Sequence, residues 1–399
     1  MVCVKSLQLD LNRVLLLAVG LWPYKQSKFT RAQVILFYGI LVTCIIFQFT
    51  TFVTTECNSQ FVIEVLSAVF FFITLMIKYN TFSFNMDTVK YLLEDLQHIY
   101  CELRDNDEVA ILRKYGTKAR RYTYVLMLLS ICGVSPIVLL PFWPIFLGRT
   151  VLPMNESRSH VSLQITTEYF VSQEKYFYLI LLHINIAFCI GLLALLATGT
   201  MTITYWQYAC GMFQVACYRV EQIIKDKTLK ISNISKDVQA NLMYGRIICA
   251  IDMHRKALTF VKHFLSKIEI FYFFLMSSTV ITLSLNLYRV FDELTSGMNI
   301  EKLITSTMFL TVAYILMFLA NYTAQQVKDH NDFLFVTVYN VQWYTAPLYV
   351  QRTILFLLQK GTKTFNMNIV GLLMGSLENF AMMASTSISY FTVIYSMRQ

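Results

Sequence analysis

From Tyr122 to Leu147, and again from Leu303 to Val327, the chain runs without a single charged side chain. A helix rises about 1.5 Å per residue, so roughly 20 mostly apolar residues cross the hydrocarbon of a bilayer. Stretches of that length and character lie near 32–54, 61–80, 122–147, 176–202, 269–290, 303–326 and 367–396. They predict an all-α integral membrane protein with seven transmembrane helices. Composition agrees: 56% of residues are hydrophobic and 14% charged, whereas soluble domains carry roughly 25% charged residues. A soluble fold, a disordered chain, a coiled coil and a nucleic-acid-binding domain are excluded together. The nine cysteines, odd in number and without paired spacing, argue against a disulfide-stapled secreted scaffold.

The shorter apolar stretch from Val14 to Trp22 stops at Pro23. Lys5 and Arg13 precede it as in a signal peptide, but Trp-Pro-Tyr-Lys follows in place of small residues for cleavage. The expectation is an interfacial or re-entrant helix within a cytoplasmic N-terminal segment, 1–31.

Charge sets the orientation. Of the 33 Lys and Arg, 27 fall on the side of the N-terminus and 6 on the other. Without the long loop after the fourth span the split is still 17 to 6. Positive charge collects in the cytoplasm, so the N-terminus is expected inside and the C-terminus outside. G-protein-coupled receptors have the opposite orientation. Asp-Arg-Tyr after the third span and Asn-Pro-x-x-Tyr in the seventh are both missing here.

Helical periodicity continues past the membrane. Tyr208, Met212, Val215, Val220 and Ile223 share one face, and Phe335, Val338, Trp343 and Leu348 continue the pattern later. The expected organisation is a first bundle of four helices at 32–202 and a cytoplasmic helical extension at 203–268. The fifth and sixth spans follow at 269–326, a cytoplasmic anchor helix at 327–363 and a seventh helix at 364–399. Pro347 should kink or end the anchor helix. The inverted repeat of many transporters is not evident.

Chemistry-bearing motifs are few. The six histidines are scattered, with no His-x-x-x-His or Cys-x-x-Cys pair, no Gly-x-Ser-x-Gly and no phosphate-cradling loop. No catalytic residue, metal site or cofactor is expected. Among three glycosylation sequons, Asn155-Glu-Ser falls in a predicted external loop. Ionisable groups inside spans carry a functional hypothesis by default, here Glu64, His183 and Glu378. Neutral histidine in a cavity can hydrogen-bond a ligand, although an interfacial position or a satisfying neighbour accounts equally for Glu64 and His183.

The seventh span has a distinctive face. Taking about 100° per residue from Val393, residues Ser389, Thr386, Met382, Asn379, Gly375 and Gly371 lie within roughly 40°. Met397 lies on the same side, with Glu378 roughly 60° away. A lipid-facing surface should be uniformly apolar, while one lining water can be small and polar. Small residues four apart also mediate close helix packing, so pore lining and packing both fit.

Several motifs in order resemble the insect odorant receptors. Gly20-Leu21-Trp22-Pro23 precedes the first span, and Tyr339-Asn-Val-Gln-Trp343 is similar to the family's Tyr-x-x-x-Trp before the last helix. Ser376-Leu377-Glu378-Asn379-Phe380 and Ser389-Tyr390-Phe391-Thr392-Val393 match its C-terminal hallmarks. Gustatory receptors instead end in Thr-Tyr and a distal Gln-Phe, where this chain has Ser389-Tyr390 and Ser396-Met397. The resemblance implies a ligand-gated, poorly selective cation channel in the plasma membrane of olfactory sensory neurons. Its pore is built from the last helices of four subunits.

The loop after the fourth span lacks the co-receptor's long insertion, so the resemblance is to a tuning subunit. Such a subunit assembles with the odorant co-receptor as a heterotetramer in the lipid bilayer. By position, Val393 and Met397 would form the hydrophobic gate, with Ser389, Thr386, Met382, Asn379 and Glu378 lining or bordering the pore below. Glu378 pairing within a subunit interface remains the alternative. In this family the odorant site lies in the outer half of the bundle. By depth the candidates are Leu66, Val69, Phe70, Ile137, Leu140, Trp143, His183, Ser306 and Phe309, a setting for a small hydrophobic odorant.

Overall fold

The computed structural model describes residues 7–103, 105–139, 165–225, 236–296, 299–361, 368–369 and 373–397. Within these residues the chain is helical almost throughout. A short α1, Asp10–Ala18, leads to α2, Lys28–Phe49, which Thr50 joins to one further turn, α3, Thr51–Thr54. Then come α4, Ser59–Phe84, α5, Met86–Glu102, and α6, Asn106–Leu139. Three long helices follow: α7, Gln173–Lys225, α8, Lys236–Ser296, and α9, Ile300–Asn340. A 3-10 turn at Trp343–Thr345 precedes α10, Leu348–Gly361, and α11, Leu377–Ser396, closes the chain.

Among the described residues, α2 with α3, α4, α7, α8 and α9 are long and apolar enough to cross a membrane. The third predicted span falls on α6 as far as Leu139, and the seventh on the 20-residue α11. At about 1.5 Å per residue, the 53 residues of α7 extend about 80 Å and the 61 of α8 about 90 Å. Hydrocarbon is about 30 Å thick, so both helices project far beyond it. Their projecting ends pack with α1, α5, α6 and α10 into one apolar core around Tyr208, Phe213, Val220, Phe260 and Leu334. Two smaller clusters sit elsewhere, one around Phe71, Phe188 and Phe309 and one between α8, α9 and α11.

The segment before α2 is part of that core and does not lie alone at an interface. Leu15, Leu16, Val19, Leu21 and Trp22 are buried. Asn12 donates to Thr204 on α7 at 3.2 Å, and Tyr79 and Tyr208 donate to the carbonyls of Val19 and Leu7. Gly20 takes φ +75°, the left-handed conformation that ends α1 and turns the chain toward Trp22.

Local chemistry sets the helix boundaries in two places, the expected break at Pro347 and a later start of the last span. The anchor is not one helix: α9 stops at Asn340, and Pro347 begins the last helix of that region. Proline forces its predecessor out of helical geometry, and Ala346 is extended at φ −76°, ψ 161°. The last span does not start near 367 either. Asn368–Ile369 pairs antiparallel with Leu373–Met374 in a small hairpin, with Asn368 opposite Met374. The helix then begins at Leu377, where the Ser376 hydroxyl accepts the backbone N–H of Asn379 at 3.1 Å. An N-cap of this kind satisfies one of the otherwise orphaned first-turn donors.

Two polar contacts tie α6 into the projecting bundle. Arg219 on α7 grips Glu108 bidentately, at 2.6 and 2.9 Å. His330 Nδ1 lies 2.7 Å from the Gln326 carbonyl, so in the neutral ring it carries the proton and Nε2 accepts from the Tyr115 hydroxyl at 2.8 Å. Burial pushes that phenol up to about 12, keeping it a donor.

Close approach of α6 and α7 depends on a glycine from each. A Cβ at Gly116 would stand 2.7 Å from the Tyr208 hydroxyl, and one at Gly211 would stand 2.9 Å from Leu112 Cδ1. Gly211→Val is expected to destabilise the protein by about 1–3 kcal/mol through overpacking, read as a lower thermal unfolding midpoint of the purified chain. Gly133 on α6, with nothing within 4 Å, should accept alanine without such a loss.

Candidate ligand cavity and last-helix face

The residues expected to form an outer pocket lie on α4, α6, α7 and α9. Leu140, Trp143 and the sequon Asn155 lie outside the described residues, and Ile137 occupies the end of α6. The others are accounted for by packing and internal hydrogen bonds. Phe309 is fully buried, stacked on Phe71 with ring centroids 4.1 Å apart and tilted against Phe188 at 5.8 Å. Phe72 closes the cluster, 5.0 Å from Phe188. Val69 is buried, and Leu66 and Phe70 are half-buried. The Ser306 hydroxyl donates to the Lys302 carbonyl of its own helix at 2.9 Å. Of the expected set only Phe309 enters this aromatic cluster, whose other rings, Phe71, Phe72 and Phe188, were not among the candidates. The signal for two of them was the run Phe70-Phe71-Phe72.

His183 is held from two sides. Its Nδ1 lies 2.7 Å from the Tyr169 hydroxyl and its Nε2 lies 3.1 Å from Thr43 Oγ1. The Thr43 proton is also placed to serve the carbonyl of Gly39. That network assigns the neutral ring with Nε2 donating and Nδ1 accepting. Tyr169 stacks on Phe47 at 4.1 Å, closing the segment before α7 over the end of α2. Glu64 is likewise paired, 2.9 Å from Lys302 Nζ and 3.1 Å from the Thr166 hydroxyl, with Arg289 at 4.0 Å.

An apolar cavity opens elsewhere. It encloses about 170 Å³ between α4, α6, α7, α8 and α9. On the four helices that carry the expected pocket it extends from that pocket toward the α4–α5 turn, reaching Met308 beside Phe309 at its other end. Its walls take Lys78 from α4, Leu129 from α6, Trp206 from α7, Tyr272 from α8 and Ile315 from α9. The lining is predominantly leucine, isoleucine and valine.

The last helix rests on α8 and α9 through Asn379, Met383 and Ser387, one buried stripe at four-residue spacing. Asn379 is 5% exposed and donates to Asn321 of α9 at 3.2 Å, while Asn321 donates to the Met317 carbonyl at 2.9 Å. Phe380 meets Tyr314 and Phe318 edge-on, and Tyr395 meets Phe291 at 5.1 Å. The flank of the helix beside this stripe is open. Glu378, Met382, Ser389, Val393 (53%) and Met397 (83%) are exposed, and Thr386 is half-buried. Thr386, Ser389, Thr392 and Ser396 each donate to a carbonyl of their own helix. Asn379, only about 40° round the helix from Val393, is thus packed against α9 at the edge of the exposed flank. Gly375 precedes the helix, where a Cβ would stand 2.6 Å from Ala324 Cβ, and Gly371 lies outside the described residues.

A family model for the 7tm odorant receptors matches residues 58–388. The chain belongs to that family. It is a multi-pass membrane protein of a receptor family, not of an enzyme family. Its fold is that of the insect olfactory receptor OR5 from Machilis hrabei. The structure of OR5 in complex with eugenol superposes with a TM-score of 0.74 at 14% identity, covering 98% of each chain. A second OR5 structure gives 0.74 at 13% identity, covering 97% of each. No curated protein matches the chain.

In this odorant-receptor chain the Asn321–Asn379 contact is the polar lock between the last helix and α9. Asn321→Leu should cost about 1–3 kcal/mol, because the Asn379 amide loses its acceptor while still buried. In a double-mutant cycle, adding Asn379→Leu should cost less than the two single changes together, measured by thermal unfolding in detergent.

Proposed function

We propose that this chain is a tuning subunit of an odorant-gated, non-selective cation channel, working as a heterotetramer with the odorant co-receptor. The observation that carries this reading is the open flank of α11, a membrane-length helix that exposes Met382, Ser389, Thr392, Val393 and Met397 alongside Ile388 and Tyr390. A lone subunit gains nothing from presenting Glu378, Ser389 and Thr392 outward, whereas four such faces around an axis would line a water-filled path. The hydroxyls already bonded to their own helix present weakly polar walls. Val393 and Met397 supply the apolar ring, which excludes water and ions when narrow and rewets when dilated. Met382, Thr386 and Ser389 line the conduit below, and Glu378 at the entrance favours cations. Asn379 supports the wall from behind. In this orientation the N-terminus is cytoplasmic, the C-terminus is extracellular, and the projecting ends of α7, α8 and α10 form the cytoplasmic anchor.

The odorant is a small apolar molecule bound in the outer half of the bundle around Phe309, Val69, Phe70, Leu66, Ser306 and His183. Ile137, Leu140 and Trp143 are the remaining candidates by depth. The Machilis hrabei receptor was solved with eugenol, a small aromatic volatile of the kind such a site accepts. Residues Phe309 and Asn321 stand twelve apart on one helix, about 18 Å along its axis. Repacking around Phe309 thus reaches the last helix through α9. For the ligand to open the gate it must bind the open arrangement more tightly than the closed one.

Outside-out patches from cells expressing this chain with an insect co-receptor provide the test. An odorant panel should evoke a fast cation current that needs neither nucleotides nor G-protein activity, and Val393 or Met397 substitutions should alter its permeation. Surface expression and odorant binding without any current would contradict the reading.

A further inference from the structure

The cavity between α4, α6, α7, α8 and α9 holds a charge that the odorant reading does not use. Lys78 lines it, is 8% exposed, and sits in an otherwise apolar stretch of α4. Among the described residues no carboxylate or carbonyl pairs with its ammonium group. Tyr272 lines the same cavity, and its buried hydroxyl also has no hydrogen-bond partner. The two stand at matching levels. Thr74 of α4 and Ser278 of α8 are bonded at 2.9 Å across an antiparallel pair. Lys78 lies one turn beyond Thr74 and Tyr272 six residues before Ser278, both toward the same end. The threonines of the lining are engaged: Thr81, Thr200, Thr202 and Thr323 each donate to a carbonyl of their own helix.

An ammonium group taken out of water without a partner is costly, and so is an unpaired hydroxyl. Both costs fall if an anion enters. The remaining wall, with Leu129, Leu195, Leu316 and Leu319, is mostly hydrocarbon, with Ser130 the further hydroxyl. We propose that this cavity is a binding site for a single-chain amphiphile with an anionic head, a medium-chain carboxylate, whose head group meets Lys78 and Tyr272 while its chain lies along α6, α7 and α9. A cavity of about 150 Å³ accepts benzene, so about 170 Å³ holds a chain of roughly six to eight carbons with its end at the open mouth. A two-chain phospholipid does not fit. Its Lys78–Tyr272 end lies deeper than the residues assigned to the odorant, and the assignment does not depend on the channel reading.

Trp206 lines the same cavity and gives a direct readout. The full chain in phosphatidylcholine nanodiscs is titrated with bromo-octanoate, whose bromine quenches nearby indole fluorescence. Saturable quenching that disappears in Trp206→Phe, and is competed by octanoate, is expected. Butyrate, which lacks the chain, and octan-1-ol, which lacks the charge, should compete at least about tenfold more weakly, the scale of losing a buried charge partner. Lys78→Met should weaken octanoate by a similar factor without lowering the thermal midpoint, since an unpaired buried charge is removed. Lys78→Arg should keep binding, which holds the test open if the methionine variant does not fold. Equal competition by octanoate and octan-1-ol, or unchanged octanoate affinity in Lys78→Met, would overturn the assignment. Protection of Trp206 by added phosphatidylserine in place of octanoate would overturn the single-chain form of it.

Discussion

Inside hydrocarbon a backbone amide or carbonyl without a partner costs several kcal/mol, and no water is available to supply one. Each crossing segment must close its hydrogen bonds within itself, which leaves helices as the only form open to spans such as α4, α7, α8 and α9. Specificity then falls to the few places where side chains interrupt a hydrocarbon surface. Gly116 and Gly211 let α6 and α7 approach. The serines and threonines of α11 bond to their own helix and so can remain on a membrane-length element. Asn321 and Asn379 satisfy each other between α9 and α11, in surroundings where leaving either amide unpaired would be expensive.

Much of the fold was legible because hydrocarbon imposes a length and a composition that no soluble fold shares. The apolar stretches of α2, α4, α7, α8 and α9 could be read from charge-free runs alone. What escaped was local chemistry. The residues before Leu377 are as apolar as a helix, and nothing in their hydropathy separates Asn368–Ile369 and Leu373–Met374 from one. Only Ser376, an N-cap residue with Glu378 and Asn379 just after it, marked the start of α11. Periodicity groups Asn379 with Val393, about 40° away on the same helix, but cannot tell that the packed side begins at Asn379, which pairs with Asn321. Pro347 was visible as a break, and its position at the head of α10 follows from the residue before it being extended.

Candidate ligand residues were legible only by depth. Depth locates Phe309 on the correct helices but cannot say that its neighbours are Phe71, Phe72 and Phe188, because those contacts depend on helix rotation. Lys78 was counted as a charge at the end of a span, where it would serve topology. The structure buries it in a cavity wall beside Tyr272, a combination that no spacing in the sequence connects. Both the aromatic cluster and that cavity share α9, and α9 also carries the polar lock on the last helix. Apolar packing above and a hydrogen bond below thus meet on one rigid element about 60 Å long.

The central claim is that the Val393 face of α11 lines a conducting path while the Asn379–Met383–Ser387 stripe packs behind it. Single cysteine substitutions at Ser389, Val393 and Ser387, each tested with a small cationic thiosulfonate during odorant-evoked current, measure this most directly. Rapid modification at positions 389 and 393 that changes the current, with none at 387, is the predicted result. Equal reactivity at all three, or modification at 387 alone, would contradict the account.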